Sequence, residues 1–295
     1  MTVRTLKTAL NASILRAYDI RGVVGENFGE DDLYTIGRAF GSEMADRGLK
    51  SACVGYDGRL SSPMLEAALV DGLTECGIDV IRTGRGPSPM LYYATVSFEA
   101  DAGLMITGSH NPPDFNGLKM TLEGKAFFDE DIQNLGRRVQ AGNYRDGAGK
   151  SEKRAVFDEY VDRMKQDYGG GKELRVAWDP GNGAAGEVTD ALVKKLPGEH
   201  FVINSEIDGT FPAHHPDPTV EKNLVQLKEL VAANDCDLGI GFDGDGDRIG
   251  VVDKLGNVMW GDQLLVMLAR DVLADHPGAP ILCDVKASRV FFDEI

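Results

Sequence analysis

The sequence lacks several features that would assign the chain to a common class of protein. No stretch approaches the roughly 18 apolar residues that a membrane-spanning helix needs. Basic residues number 31 against 47 acidic ones, which gives a formal net charge of −16. Because nucleic-acid-binding proteins need a basic surface, we expect no nucleic-acid partner, and without a long apolar run we expect no membrane partner.

Cysteine is scarce as well. The four cysteines are far apart in the sequence and form no C-x-x-C pair: Cys53, Cys76, Cys236 and Cys283. We therefore expect buried free thiols and a reducing cytoplasm. The first 14 residues carry no long apolar core, so we interpret them as mature sequence and not as a signal peptide.

Short apolar runs alternate with helical patterns along most of the chain. Runs such as 52–56, 103–106 and 238–242 predict strands, and Ser62 followed by Pro63 predicts a helix that begins with Ser62 as its N-cap. This alternation predicts an α/β protein of successive three-layer domains. Each domain would contain a mixed, mostly parallel sheet, with an active-site cleft between the domains.

The domain boundary is predicted in the segment 142–153, which is rich in Gly, Lys and Ser and has no apolar period. The predicted domains are residues 1–150, residues 151–255, and residues 256–295 as the start of a third. The run 281–285 is predicted as a strand. About 40 residues are too few to close an α/β layer alone, so we expect the last segment to pack on the second domain or to be truncated.

The strongest functional signal is the segment 243–248, which has the sequence D-G-D-G-D-R between two apolar runs. Three carboxylates so close together repel one another unless a cation lies between them. Oxygen ligands select a hard ion, Mg²⁺ or Ca²⁺. An EF-hand does not fit, because Arg248 and Lys254 stand where its glycine and glutamate belong. A plain hairpin turn is the other alternative, but it does not need three aspartates.

The second signal is the segment 107–113, with the sequence T-G-S-H-N-P-P after a predicted strand. Ligands bind at such strand ends in open α/β sheets. Ser109 would be a poor nucleophile without activation, and no G-x-S-x-G motif is present. A phosphorylated Ser109 resolves this, since the reactive group is then the phosphoryl. Its charge and that of the three aspartates can lie together only around a metal. The alternative is an ordinary loop.

Local cations are a third group, which an acidic protein needs in order to bind phosphate. They lie in the segments 16–22 and 55–59 and at Lys119, Arg248 and Lys286.

A fourth pattern, G-x-G-x-x-G at 181–186 with Glu206 beyond it, matches a dinucleotide-binding fingerprint. We interpret it instead as a tight turn that packs a helix on a strand, because an oxidoreductase has no use for the acidic segment. His214 and His215 lack a third zinc ligand at suitable spacing, so we expect a structural or interdomain loop there.

Together, the segments R-A-Y-D-I-R-G (16–22), T-G-S-H-N-P (107–112), H-H-P-D-P (214–218) and D-G-D-G-D-R (243–248) resemble the α-D-phosphohexomutases, in particular the bacterial phosphomannomutase/phosphoglucomutase group. The resemblance covers essentially the whole chain. It implies a mutase that interconverts hexose 6-phosphate and hexose 1-phosphate through a phosphoserine, with hexose 1,6-bisphosphate as intermediate and activator. Mg²⁺ is the implied metal.

The resemblance also implies residue roles. Ser109 would be the phosphoserine, and Asp243, Asp245 and Asp247 would bind Mg²⁺ together with its phosphate. Arg21, His110 and Lys119 would lie near the reacting groups, with Lys119 or Arg21 transferring the proton. Residues that contact substrate or brace the site would be Tyr18, Arg248 and Lys286.

The chain departs from the family beyond the acidic segment. The family has four domains, and its sugar-recognition loop and its phosphate-binding loop in the fourth domain have no counterpart in this sequence. We therefore expect weak or no mutase turnover from this chain, because remote binding energy supports the chemical step. A non-catalytic sugar-phosphate-binding module is the alternative. The sequence leaves the preferred sugar open, and we expect a monomer.

Overall fold

The computed structural model describes residues 4–295, so the first three residues of the predicted first domain lie outside the described part. The first sheet and its helices are formed by these elements: β1 (Ile20–Val23), α1 (Glu30–Asp46), β2 (Ser51–Tyr56), α2 (Ser62–Thr74), β3 (Asp79–Arg85), α3 (Ser88–Ser97), β4 (Ala102–Ile106), β5 (Phe115–Leu122), β6 (Lys125–Ala126), α4 (Glu130–Ala141), β7 (Ser151–Lys153) and α5 (Phe157–Gln166).

The first sheet has the strand order β1-β5-β4-β2-β3-β7, with β6 beside β5. The strands β4, β2, β3 and β7 are parallel, whereas β5 runs antiparallel to β1, β4 and β6. The parallel strands point their carboxyl ends to one edge of the sheet. The segments after β2 and β4 therefore lie side by side at that edge.

Side chains of each strand point alternately to the two faces of the first sheet, and helices form a layer on each face. In β2, Ala52 and Val54 belong to the large apolar core that includes α1, α2 and α4, whereas Cys53 faces the smaller core. That smaller core includes Met90 of α3 and Val161 of α5. Since side chains alternate between the two faces of a strand, both faces of this sheet are covered by helices. The predicted three-layer arrangement is confirmed for this sheet.

The second sheet is smaller and also mixed. It is formed, with its helices, by β8 (Leu174–Asp179), α6 (Gly186–Val193), β9 (Gly198–Val202), α7 (Val225–Ala233), β10 (Leu238–Phe242), β11 (Ile249–Asp253) and β12 (Val258–Met259). Its order is β12-β11-β10-β8-β9, with β8, β9 and β10 parallel and with β11 antiparallel to β10. The hairpin between β10 and β11 therefore holds the acidic segment 243–248. The prediction of a mixed α/β fold is confirmed.

The last segment contains α8 (Gly261–Asp275) and α9 (Arg289–Glu294). The predicted strand 281–285 is wrong, because these residues have no regular structure. A strand needs a neighbour for its backbone hydrogen bonds, and nothing in the described part of the chain pairs with this run. Cys283 is accordingly half-buried, whereas the other three cysteines are buried free thiols as predicted. Burial raises the pKa of Cys53 to about 11.

One local prediction needs correction, and one strand lies beside the predicted domain boundary. Ser62 is the first residue of α2 and not its N-cap, because its hydroxyl donates to Asp57 Oδ1 at 2.6 Å. Residues just past the predicted boundary at 150 form β7, which pairs with β3 of the first sheet. The domain boundaries themselves stay a prediction. No helix within residues 4–295 has the length and apolar character needed to cross a membrane.

Candidate phosphoryl-transfer site

The serine loop, residues 107–113, begins at the carboxyl end of β4. Ser109 has a positive φ of 50° and is only 3% exposed. Its backbone N–H donates to Thr107 Oγ1 at 2.7 Å, which stabilises this sharp turn locally. The loop therefore turns Ser109 away from solvent and toward the second sheet.

A buried arginine fixes the shape of the serine loop. The Arg59 guanidinium donates to the backbone carbonyls of Ser109 at 2.8 Å, Asn111 at 2.6 Å and Phe115 at 2.9 Å. Asp57 Oδ2 accepts from Arg59 Nε at 3.1 Å and balances its charge. Because five donors on one planar group reach several carbonyls at once, a single side chain can hold the whole loop.

The acidic hairpin, residues 243–248, connects β10 and β11. Asp243 and Asp245 are fully buried, whereas Asp247 is exposed, and one oxygen of each carboxylate lies within 4.8 Å of the others. Asp243 Oδ1 accepts the backbone N–H groups of Asp247 at 3.1 Å and Arg248 at 3.0 Å. These bonds close the hairpin around its own first carboxylate.

The serine loop and the acidic hairpin are in direct contact. Ser109 Oγ donates to Asp243 Oδ2 at 3.0 Å, and Arg248 Nη2 lies 2.8 Å from both of these oxygens. A Cβ on Gly244 would lie 2.3 Å from the carbonyl oxygen of Ser109, so only glycine permits this approach. The two strongest sequence signals, which are 134 positions apart, meet at one point.

Lys119 reaches the hairpin from β5. Its Nζ donates to Asp245 Oδ2 at 2.6 Å and to Asp247 Oδ2 at 2.5 Å. Burial lowers the pKa of Lys119, but the charges of the two aspartates outweigh burial and raise the pKa overall. Lys119 is therefore an ammonium at neutral pH. Burial and the charge of Asp245 raise the pKa of Asp243, and the positive charge of Arg248 offsets this rise in part.

Arg21 and His110 also contact the residues around Ser109. Arg21 Nη1 donates to the carbonyl of Gly108 at 2.8 Å, and its Nη2 pairs with Asp19. His110 Nδ1 lies 3.4 Å from Ser109 Oγ and contacts the guanidinium of Arg248. Burial and the charge of Arg248 lower the pKa of His110, so its ring is neutral at neutral pH.

Tyr18 and Lys286 are placed differently from the other predicted site residues. Tyr18 is 83% exposed. Lys286 lies in a turn and lines a shallow depression with Asp262 and Leu265 of α8. Within residues 4–295 neither side chain has a hydrogen bond to the serine loop or to the acidic hairpin. Their roles stay predictions, whereas Ser109, Arg21, His110, Lys119 and Arg248 come together as expected.

The G-x-G-x-x-G turn supports the acidic hairpin from behind. The Ala184 N–H donates to the carbonyl of Gly244 at 2.9 Å, and a Cβ on Gly183 would lie 2.9 Å from the same oxygen. A Cβ on Gly186 would lie 1.9 Å from the carbonyl of Ser205, so this glycine is explained by close backbone packing. The turn is therefore tightly packed, but these close contacts are with the hairpin and with the loop after β9 and not with a strand.

The histidine pair belongs to the same support. His214 Nε2 lies 2.9 Å from Asp179 Oδ2, at the carboxyl end of β8. Burial lowers the pKa of His214, but its hydrogen bond with Asp179 outweighs burial and raises the pKa overall. Two residues further, Pro216 lies against Gly244. His214 thus fixes a loop that packs on the hairpin.

Sequence reasoning missed one residue that touches the hairpin. Ser88, the first residue of α3, donates its hydroxyl to Asp245 Oδ2 and its N–H to the carbonyl of Asp245 at 2.8 Å. The local sequence G-P-S-P has no catalytic signature, and only the folded chain brings it to a carboxylate 157 positions away.

The acidic hairpin fits a hard divalent cation. Its donors are carboxylate oxygens, which Mg²⁺ prefers. Asp245 Oδ1 is buried and has no hydrogen-bond partner within residues 4–295. A buried carboxylate oxygen without a partner is destabilising, and a cation would satisfy it. Among the described residues, these three aspartates are also the cluster whose ligand atoms are close enough to share one ion.

Comparison with known proteins shows the family of this chain. Residues 12–146 match the model of phosphoglucomutase/phosphomannomutase α/β/α domain I, and residues 158–256 match that of domain II. A phosphomannomutase/phosphoglucomutase of Pseudomonas aeruginosa is 44% identical over 280 residues, which are 95% of this chain and 60% of that protein. A phosphoglucomutase of Neisseria meningitidis is 40% identical over 94% of this chain and 61% of its own length.

A solved structure gives the same result. The crystal structure of a phosphoglucomutase/phosphomannomutase family protein from Burkholderia thailandensis superposes with a TM-score of 0.91 at 42% identity, over 95% of this chain and 63% of that one. The chain thus spans about three fifths of the relatives that it matches. It belongs to the phosphoglucomutase/phosphomannomutase family.

Proposed function

We propose that this chain carries the phosphoryl-transfer centre of a phosphohexomutase, an intramolecular phosphotransferase that interconverts hexose 6-phosphate and hexose 1-phosphate. The observation that carries the proposal is the contact between Ser109 Oγ and Asp243 Oδ2 at 3.0 Å. A hydroxyl held against an acidic cluster with two adjoining cations is arranged to carry a phosphoryl group. The names of the relatives support a hexose phosphate substrate.

In this proposal Ser109 carries the phosphoryl group between turnovers. A hydroxyl of the hexose phosphate attacks the phosphorus, so that a new O–P bond forms while the Ser109 Oγ–P bond breaks. The sugar hydroxyl loses its proton to a base, and the Oγ that leaves accepts a proton. The hexose 1,6-bisphosphate then presents its other phosphate, and the same steps run in reverse to restore phosphoserine.

The metal would be Mg²⁺, held by Asp243, Asp245 and Asp247 together with the phosphate on Ser109. It would supply charge neutralisation and Lewis-acid polarisation of the transferred phosphoryl group. The support is the oxygen-only donor set and the unpartnered Asp245 Oδ1.

The remaining side chains have distinct proposed tasks. Arg248 donates to Ser109 Oγ and stabilises the charge that develops there as the bond breaks. Lys119 keeps its proton while it is paired with Asp245 and Asp247, so in this arrangement it serves as a proton donor and a cation. His110 is neutral and lies within reach of the reacting oxygen, which suits it to accept a proton. Arg21 holds the serine loop through Gly108.

The domain assignment is part of the proposal. Residues 1–150 would be the phosphoserine-bearing domain, residues 151–255 the metal-loop domain, and residues 256–295 the start of a sugar-binding domain. The free cysteines of the chain favour a cytoplasmic location, and we expect a monomer.

Phosphorylation of Ser109 is the direct test. The chain is incubated with glucose 1,6-bisphosphate and Mg²⁺, and its intact mass is measured. We expect one added phosphate, which Ser109→Ala abolishes. Ser151→Ala, which removes an exposed hydroxyl on β7, is the matched control and should still gain the phosphate. If Ser109→Ala is phosphorylated like the original chain, or if the original chain gains nothing, the proposal is wrong. A module that only binds sugar phosphate would give the latter result.

A further inference from the structure

We infer that Ser88 is a positioning residue that orients Asp245 toward the divalent cation and ties this ligand to the first sheet. The inference rests on the proposed metal role of the acidic hairpin and extends it to a residue outside the hairpin. It assigns a task to the start of α3, which the proposed reaction does not otherwise use.

The first support is the pair of contacts between Ser88 and Asp245. Ser88 is fully buried at the start of α3, and both its hydroxyl and its N–H donate to the same residue. The hydroxyl binds the carboxylate oxygen Oδ2, and the N–H binds the backbone carbonyl. Two bonds to one residue fix both the position of its backbone and the rotation of its side chain.

The second support is the state of the two carboxylate oxygens. Asp245 Oδ2 accepts from the hydroxyl of Ser88 and from Lys119 Nζ at 2.6 Å. Asp245 Oδ1 is buried and accepts from nothing in the described part of the chain. Because Ser88 engages one oxygen, it determines where the other one points. Groups that orient a metal ligand in this way raise affinity by limiting the ligand to its binding orientation.

The third support is the rigidity of the residues around Ser88. It lies between Pro87 and Pro89, and Pro87 has extended backbone angles (φ −72°, ψ 155°) immediately before the helix. Proline fixes its own φ and restricts the residue before it, so the start of α3 has little freedom. A Cβ on Gly246 would lie 3.0 Å from Pro87 Cβ, so the hairpin packs closely on this corner.

The test is the affinity of the whole chain for Mg²⁺, measured by isothermal titration calorimetry without substrate. We expect Ser88→Ala to weaken Mg²⁺ binding about 10- to 100-fold, the usual effect of losing a group that orients a ligand. Ser88→Thr keeps the hydroxyl and should bind Mg²⁺ close to the original affinity. Thr95→Val is the matched control, because it removes a buried hydroxyl of the same helix that donates to the carbonyl of Leu91 and not to Asp245.

Thermal melting without Mg²⁺ distinguishes a loss of fold stability from a change in the orientation of Asp245. If Ser88→Ala binds Mg²⁺ as tightly as the original chain, Ser88 does not orient the ligand and the inference is wrong. An equal loss of affinity in Thr95→Val would show that helix stability, not the hydroxyl, is responsible, and would also overturn it. If the original chain binds no Mg²⁺, the proposed metal role fails, and this inference fails with it.

Discussion

The serine loop and the acidic hairpin face each other but are held in opposite ways. The serine loop is stabilised by Arg59, which lies at the end of β2 in the same sheet and bonds to backbone carbonyls. The hairpin is closed by its own Asp243 and packs on the G-x-G-x-x-G turn of its own sheet, but it also accepts bonds from the first sheet and its helices, since Lys119 and Ser88 both donate to Asp245. The serine loop is therefore shaped mainly by its own sheet, whereas the hairpin also depends on contacts across the junction.

The difference in charge between the two loops explains this arrangement. The buried guanidinium of Arg59 is balanced by Asp57, so the serine loop needs no further ion. The hairpin has three carboxylates against the ammonium of Lys119 and the guanidinium of Arg248, and the pKa of Asp243 is raised. The serine loop is therefore fixed in shape, whereas the hairpin keeps an excess of negative charge, which fits the proposed cation.

The largest expected effect comes from breaking the brace of the serine loop. Arg59→Met leaves several buried carbonyls without a donor and the buried Asp57 carboxylate without its counter-charge, so we expect a loss of about 3–5 kcal/mol in the free energy of unfolding. Urea denaturation measures it. Arg47→Met, which removes a more exposed arginine, should change stability by less than about 1 kcal/mol. Equal effects of the two substitutions would mean that the loop does not depend on Arg59. If Arg59→Met does not fold, Arg59→Lys should show a smaller loss.

The next effect concerns the hairpin and its cation. With Mg²⁺ at about 100 times its Kd, the original chain should gain about 2.7 kcal/mol of unfolding free energy. Asp245→Asn should lose most of this gain, because a buried ligand charge is removed. Asp271→Asn, an exposed change on α8, should keep all of it. If Mg²⁺ stabilises Asp245→Asn as much as it stabilises the original chain, the ion binds elsewhere.

A smaller effect with a defined pH dependence comes from the support behind the hairpin. The pKa of His214 is raised in the folded chain, mainly by its bond to Asp179 against the effect of burial. Its stabilisation is therefore fully present below the unfolded pKa of about 6.5 and is lost as pH rises through the folded pKa. We expect His214→Gln to lose about 1–3 kcal/mol at pH 5.5 and less at pH 8.5. Urea denaturation of both proteins at the two pH values measures these losses. The same loss of unfolding free energy at pH 5.5 and pH 8.5 would contradict the prediction.

The smallest effect tests whether surface charge joins the two sheets. Arg85 at the end of β3 pairs with Glu187 in α6, and both side chains are about half exposed. A double-mutant cycle with alanine at both positions should give a coupling of at most about 1 kcal/mol. A coupling above about 2 kcal/mol would mean that this pair, and not the buried loop contacts, holds the junction.

The sequence predicted the parts of the site that lie within single segments. The spacing of the three aspartates and the strand before Ser109 are local patterns, so each loop was recognisable by itself. Their proximity was expected from charge, because a phosphoserine and three carboxylates can lie together only around a cation. The structure confirms the mixed α/β fold and the meeting of the two loops.

Long-range partners could not be predicted in the same way. Ser88 lies in a short segment between prolines and is recognisable only from its contact with Asp245, 157 positions away. The antiparallel strand β5, which carries Lys119, was missed although its residues 118–122 alternate apolar and polar, and its pairing with β1 and β4 is seen only in the fold. The run 281–285 has strand-forming residues but no partner in the described chain, so composition gave a wrong strand there.

The most direct test of the account is whether the phosphate on Ser109 and the ion in the acidic hairpin touch. The chain is phosphorylated with glucose 1,6-bisphosphate, and the ³¹P resonance of phosphoserine is recorded while Mn²⁺, a paramagnetic ion that prefers the same oxygen ligands as Mg²⁺, is added. We predict that substoichiometric Mn²⁺ broadens this resonance strongly and that Asp245→Asn largely prevents the broadening. A phosphoserine resonance that stays sharp at saturating Mn²⁺ would contradict the account.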